Sequence, residues 1–378
     1  GNATAVGYAA ADSAGSQTNL VAVGRDALGA ATSGNNNTAV GYASLQTVDG
    51  AQNTALGASA LNADCVSNNV GLGFEALKVF TGSSATAVGS SAAAASVSDS
   101  GITAVGQSAL GACNGGDYNT AVGAYSGDGI TTGNNNTSLG VWSLSAAATN
   151  DNTALGYYAL KDFTGSNATA VGKGAADAAG SQTNLTAIGY NALGAATSGN
   201  DNTAVGTSAL QTVDGAANTA VGFAALNADC ASNNTAIGKA ALNVFTGNNA
   251  TAVGSGAADG TADAANLVAV GVNTARTVTG ANNTFVGYAS GRYATSSENC
   301  VAIGLEALRG ASSGTFPTGN WNIAVGNYAL TALTSGASNV SIGHNSGKAL
   351  LSGGGNVLIG GNAGDTLTSS NNIAIGLD

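Results

Sequence analysis

The sequence predicts an all-β chain: a parallel β-solenoid, or β-roll, of about 23 short coils. Three observations carry that prediction. A four-residue phrase, β-branched–small–aliphatic–Gly, returns at steps of 16 or 17 residues with a single exception. Alternate positions of the phrase hold contrasting residue types, which is the periodicity of a strand. Between phrases lie Gly, Asn, Ser, Asp and Thr, the residues that make turns.

The phrase itself comes first. Thr38-Ala39-Val40-Gly41 returns as Thr54-Ala55-Leu56-Gly57, and so on from Thr4 to Ile373. Its first position is Thr, Val or Ile throughout, and its third is always Val, Leu or Ile. Such residues favour strands. The second position is Ala in 18 of 23 cases and the fourth is Gly in all, so space on that side must be tight. Positions one and three are therefore expected to turn inward. The Ala/Gly side is expected to form a flat outer face suited to packing against identical chains.

Helix is the competing reading of so much Ala. Gly and Asn at fixed places in every unit would stop each helix before three turns, and helices that short are marginal. A unit of 16 residues is also too small to bury its own apolar side, so units must stack. That length allows two short strands and two turns per coil. At about 4.8 Å per coil, 23 coils give a shaft on the order of 110 Å long. The expected domain organisation is one array over residues 1–378. The one long step, 22 residues between Val301 and Ile323, makes 305–322 a longer coil with a projecting loop.

The residue preceding the phrase is Asn in 14 of 23 units, as at Asn37, Asn53 and Asn69. In stacked coils these amides would lie one above another and bond to each other as a ladder. The exceptions are ordered. Ala3, Ala85, Ala168 and Ala250 open every fifth unit, the last three each preceded by Phe-Thr-Gly (from Phe80, Phe163 and Phe245), and Leu20, Ile102, Leu185 and Leu267 follow one unit later. Long stretches also repeat at a shift of 165, for example Ala60–Cys65 and Ala225–Cys230.

Composition narrows the function. Only 8% of residues are charged, net charge is −11, and mean hydropathy is +0.16, which suits thin apolar layers and argues against a disordered chain. No Lys/Arg run appears in the sequence, so a basic stripe and a nucleic-acid partner are not expected. No stretch is long and apolar enough to span a membrane. The chain opens and closes inside repeating units and reads as a piece of something longer. Cys65, Cys113, Cys230 and Cys300 fall in different coils, and Cys65 and Cys230 are equivalent places, so free packed thiols are expected.

Little chemistry is in view. His344 is the only histidine, which leaves no imidazole pair for a metal or a catalytic dyad and fits a turn residue. Asp49, Asp64, Asp214 and Asp229 sit in turn contexts such as Asp49-Gly50. Neither a phosphate-binding loop nor a Gly-Asp calcium repeat occurs, so no catalytic residue, metal or cofactor is assigned. Aromatics are the candidate recognition groups. Tyr42, Tyr157 and Tyr190 share the place just after the phrase glycine, and Phe316 and Trp321 belong to the long coil.

The pattern Asn-Thr-Ala-Val-Gly, followed by a small residue and Leu and then by another Asn-Asn-Thr-Ala-Val-Gly, resembles the head repeats of YadA-like trimeric autotransporter adhesins. It is similar also to the 17-residue repeats of bacteriophage tail-fibre and bacterial surface-fibre proteins. The likeness covers essentially the whole chain, whose units are longer than those usual in adhesin heads and which lacks heptads, a charged neck and a membrane anchor. It implies a left-handed roll, three chains side by side, and display outside a cell or on a virion. The expected function is a non-enzymatic shaft or head of an attachment fibre, its partners further copies of itself and a surface glycan or protein. A filament joined end to end is the alternative, since coil ends leave strand edges unpaired. An ice-binding array ranks third, because its Thr column would be buried.

Overall fold

The computed structural model describes residues 2–310 and 317–377. Among them are 23 short strands, one for each copy of the phrase, and no helix. The chain divides into two compact units, Gly1–Ala187 and Ile188–Asp378. Each is a stack of coils whose strands pair in parallel and in phase. In the first unit Val6 pairs with Val23, and Thr38, Ala39 and Val40 pair with Thr54, Ala55 and Leu56. In the second, Thr203, Ala204 and Val205 pair with Thr219, Ala220 and Val221. The predicted parallel β-solenoid is what forms.

Each coil has one strand and not the expected two. Opposite the strand the backbone runs as linked turns in which left-handed residues alternate with others. Asp26 has φ +59° and Leu28 has φ +48°, two and four places after Gly24. Alternation keeps this wall flat and aims its peptide groups at neighbouring coils. Asp26 donates its N–H to Tyr8 O at 2.9 Å, and Leu28 donates to Ser44 O at 3.0 Å. The ladder is thus kept without extended backbone. None of the described non-glycine residues with positive φ is β-branched. A side chain branched at Cβ clashes in that region, so Val, Ile and Thr are kept out of these left-handed positions, and the apolar side chain four places after the phrase glycine is Leu or Ala.

The core lies between these two walls. Ala22, Ala39 and Ala55 enter it from the strands, and Leu28, Leu45 and Leu61 meet them from the turn wall, all essentially inaccessible. Burying each such Leu contributes about 1.5–3 kcal/mol. The gap is only Ala-deep on the strand side. A Cβ on Gly71, in a strand's second position, would already stand 3.1 Å from Leu61 Cγ. Where a strand brings a larger residue, the turn wall yields: Phe285 lies against Gly291, and Leu358 lies between Gly347 and Gly364.

The phrase glycine satisfies two demands at once. Gly41 has φ +138°, and a Cβ there would stand 2.5 Å from Gly57 O in the next coil. No side chain fits.

Asparagine ladders close the third corner of the coil. Asn37, Asn53 and Asn69 are fully buried. Each side-chain oxygen accepts the backbone N–H of the residue one coil on: Asn53 N to Asn37 Oδ1 at 2.8 Å, Asn69 N to Asn53 at 2.9 Å, and Ala85 N to Asn69 at 2.9 Å. The amide nitrogens mostly bond to turn carbonyls, as Asn37 Nδ2 does to Gly50 O at 2.8 Å. Direct amide–amide bonds, which the sequence led us to expect throughout, occur in part of the array, for example Asn152 Nδ2 to Asn136 Oδ1 at 3.0 Å.

One ladder occupies four units of each five-unit cycle, three asparagines and the alanine that ends it. Three asparagines end on the N–H of Ala85, Ala168 or Ala250. Just before that Ala, the buried rings of Phe80, Phe163 and Phe245 take over the interior. The glycine two places after each Phe makes the room, since a Cβ on Gly82 would stand 2.7 Å from Phe80 Cζ.

Candidate functional site

The strand face is the first candidate surface, and it is turned the other way from expectation. From Val21 to Ile359 the phrase's second residue is buried, while its first and third are half-exposed or exposed. The Ala position faces the molecule's own core, and the half-exposed phrase glycine lies against the backbone of the next coil. The outer face carries one column of Thr, Val or Ile and one of Val, Leu or Ile. The Thr column runs unbroken from Thr86 to Thr186 in the first unit and from Thr203 to Thr251 in the second. From Val301 onward every described phrase has an aliphatic residue in both columns. No charged residue interrupts either column.

The aromatic column is the second surface. Tyr42, Tyr157 and Tyr190, which share the place just after the phrase glycine, are exposed beside the strand face. Tyr42 and Tyr157 lie seven coils apart in the first unit and Tyr190 is in the second, so they form no common pocket. Tyr157 stacks on Tyr158 with centroids 3.8 Å apart, and Tyr125 on Trp142 at 4.3 Å. The Arg25 guanidinium lies between two rings, 5.9 Å from Tyr8 and 5.7 Å from Tyr42. Trp321 is 62% exposed, and its backbone N–H donates to Glu298 O at 3.0 Å. Phe316 and the tip of the expected loop lie outside the described residues.

The aspartates of the duplicated segments do more than shape their own turns. Asp49 Oδ1 accepts from the N–H of Thr32 at 2.6 Å and of Ser33 at 2.9 Å, one coil back, and Asp64 Oδ1 accepts from Asp49 N at 2.9 Å. Asp214 repeats this with Thr197 and Ser198. These carboxylates clamp turn to turn. All four cysteines are free and buried, as expected. Burial pushes the Cys65 thiol up to about 11 and those of Cys113 and Cys230 up to about 12, which removes thiolate reactivity at neutral pH. His344 sits edge-on to Tyr328 with centroids 6.1 Å apart. Among the described residues no three His, Cys, Asp or Glu side chains gather where they could hold a metal ion. No helix there is long and apolar enough to cross a membrane.

One surface contradicts the sequence-based expectation of no basic stripe. Stacking creates it. Arg276, Arg292 and Arg309 each lie five places after a phrase glycine, in three successive coils of the second unit, and Lys348 holds the same place two coils on. Backbone bonds fix the register: Thr277 N to Arg292 O at 3.2 Å and Tyr293 N to Arg309 O at 2.9 Å. The signal was present, but only after the sequence is aligned on its period.

No protein-family model matches the chain, and no curated protein matches it either. The fold alone therefore defines its class: a parallel β-solenoid repeat protein.

Proposed function

We propose that this chain is a non-enzymatic segment of a surface-attachment fibre, displayed outside a cell or on a virion. In it three copies pack side by side through their strand faces. The observation that carries this reading is the outer strand face, with two uncharged columns of Thr and aliphatic side chains in register. Eleven strands at about 4.8 Å give each unit a strip about 50 Å long, and a width of about 10 Å makes that on the order of 500 Å². This is at the top of the range for patches left open on monomers, and a second copy carrying the same columns would cover it.

Sedimentation velocity with light scattering on the full chain tests it. An elongated trimer is expected, dissociating when Val205 and Val221 are both replaced by Lys. A monomer at micromolar concentration overturns the proposal.

The outward Thr column favours a second reading, an array that orders water on ice. Freezing hysteresis in dilute protein would support it, and its absence at millimolar concentration removes it.

A further inference from the structure

We infer that the column Arg276–Arg292–Arg309–Lys348, with the rings of Tyr293 and Tyr328 beside it, is a binding site for an acidic polysaccharide carrying carboxylates on successive sugars. Four of the chain's nine Lys and Arg stand in this one column, in a protein of net charge −11. Such crowding needs a counter-charge, and the protein supplies only part of it. Arg276 Nε lies 3.2 Å from Asp259 Oδ1, close enough for an ion pair but not aligned as a hydrogen bond. Arg309 Nη1 lies 3.0 Å from Glu306 Oε2. Arg292, between them, pairs with no carboxylate among the described residues, and its Nε is shut away from solvent without a hydrogen-bond partner. The residue as a whole is half-exposed, and a guanidinium with no carboxylate of its own, flanked by two more cations, is a place for an external oxyanion.

The neighbouring rings select the kind of molecule. Arg292 lies 5.2 Å from the Tyr293 ring centroid, and Lys348 Nζ 5.6 Å from that of Tyr328. Cations spaced along several coils, with the half-buried ring of Tyr328 among them, match a sugar chain, whose C–H face lies on the ring while its acid groups meet the cations. A densely charged nucleic acid would also meet the arginines. The acidic remainder of the protein opposes it.

The test is calorimetric titration of the full chain with a hexameric oligouronate. Parallel titrations use a sulfated dextran hexamer, a neutral glucan hexamer and single-stranded DNA. Expected are uronate binding that weakens with salt, no binding of the neutral hexamer, and about tenfold weaker uronate binding for Arg292→Gln. Lys239→Gln, an exposed cation outside the column, leaves the affinity unchanged. Circular dichroism checks that Arg292→Gln is folded, and Arg276→Gln replaces it if it is not, with weaker binding again expected. No uronate binding, equal binding by the column variant and the unsubstituted chain, or tighter binding of sulfated dextran, neutral glucan or DNA overturns the assignment. Oligomeric state is measured separately, so a trimer that ignores uronate and a monomer that binds it speak to different claims.

Discussion

Asn53 donates its backbone N–H to the side-chain oxygen of Asn37 at 2.8 Å, with both residues fully buried. The same geometry links Asn69 to Asn53 at 2.9 Å, so each amide satisfies a peptide group that no strand reaches. Replacing Asn53 by Ala leaves the Asn69 N–H buried without its acceptor. A loss of about 1–3 kcal/mol is expected, read by urea unfolding. Replacing the exposed Asn36 by Ala serves as the comparison. Equal effects at the two sites would mean that the ladder adds nothing beyond helping the turn.

Glycine positions separate into two kinds. Gly41→Ala must adopt φ near +138° and drive a methyl group to within 2.5 Å of Gly57 O, so a loss of about 3 kcal/mol or more is expected. Gly15 has an ordinary φ, and a Cβ there meets only Thr32 O at 4.0 Å. Gly15→Ala should leave stability within about 0.5–1 kcal/mol of the original, on the stabilising side. Thermal melts of the two variants check both statements.

The strands, the phrase glycines, the buried thiols and the asparagine column could all be read from the period, because each depends on what lies one coil away. The direction in which the strand faces could not. A period of two places Thr38 and Val40 opposite Ala39, but it does not say which side is inside. Bulk suggested that Val and Leu fill the core. In fact Leu28 and Leu45 fill it from the turn wall, leaving room only for Ala. The turn wall itself left a signal that strand propensity hides: its apolar column holds Leu or Ala and never Val or Ile, the mark of positive φ. Of the recognition candidates, Tyr42, Tyr157 and Tyr190 prove to be exposed, whereas the basic column escaped notice because sixteen or more residues separate its members.

That mark yields a prediction. Leu45 is buried at φ +49°. Leu45→Met keeps volume and lacks branching at Cβ, so it should cost less than about 1.5 kcal/mol. Leu45→Ile keeps volume and adds branching at Cβ, so its cost should exceed that of the Met variant by about 1 kcal/mol or more. Chemical denaturation of both variants decides it. An Ile variant as stable as the Met variant would show that the turn wall can adopt another backbone.

Two sets of carboxylates predict how stability follows pH. The N–H groups of Ser33 and Thr32 hold Asp49 below the usual carboxylate range. At Asp214 burial pushes upward, but the N–H groups of Thr197 and Ser198 more than offset it, and the net direction is down. Such groups contribute stability above the unfolded value, near 3.9, and lose it as pH falls through their folded values. Asp128 and Asp177 are raised by burial, each with one oxygen lacking a partner. Their contribution is complete below the unfolded value and is lost as pH rises through the folded one. Acidification from pH 7 should therefore first raise the melting temperature as Asp128 and Asp177 protonate, then lower it below about pH 4 as Asp49 and Asp214 do. The Asp128→Asn, Asp177→Asn double variant should lose the rise and keep the acid limb. A melting temperature that falls steadily from pH 7 down to the unfolded carboxylate value, near 3.9, in the unsubstituted chain would refute this assignment of the two sets.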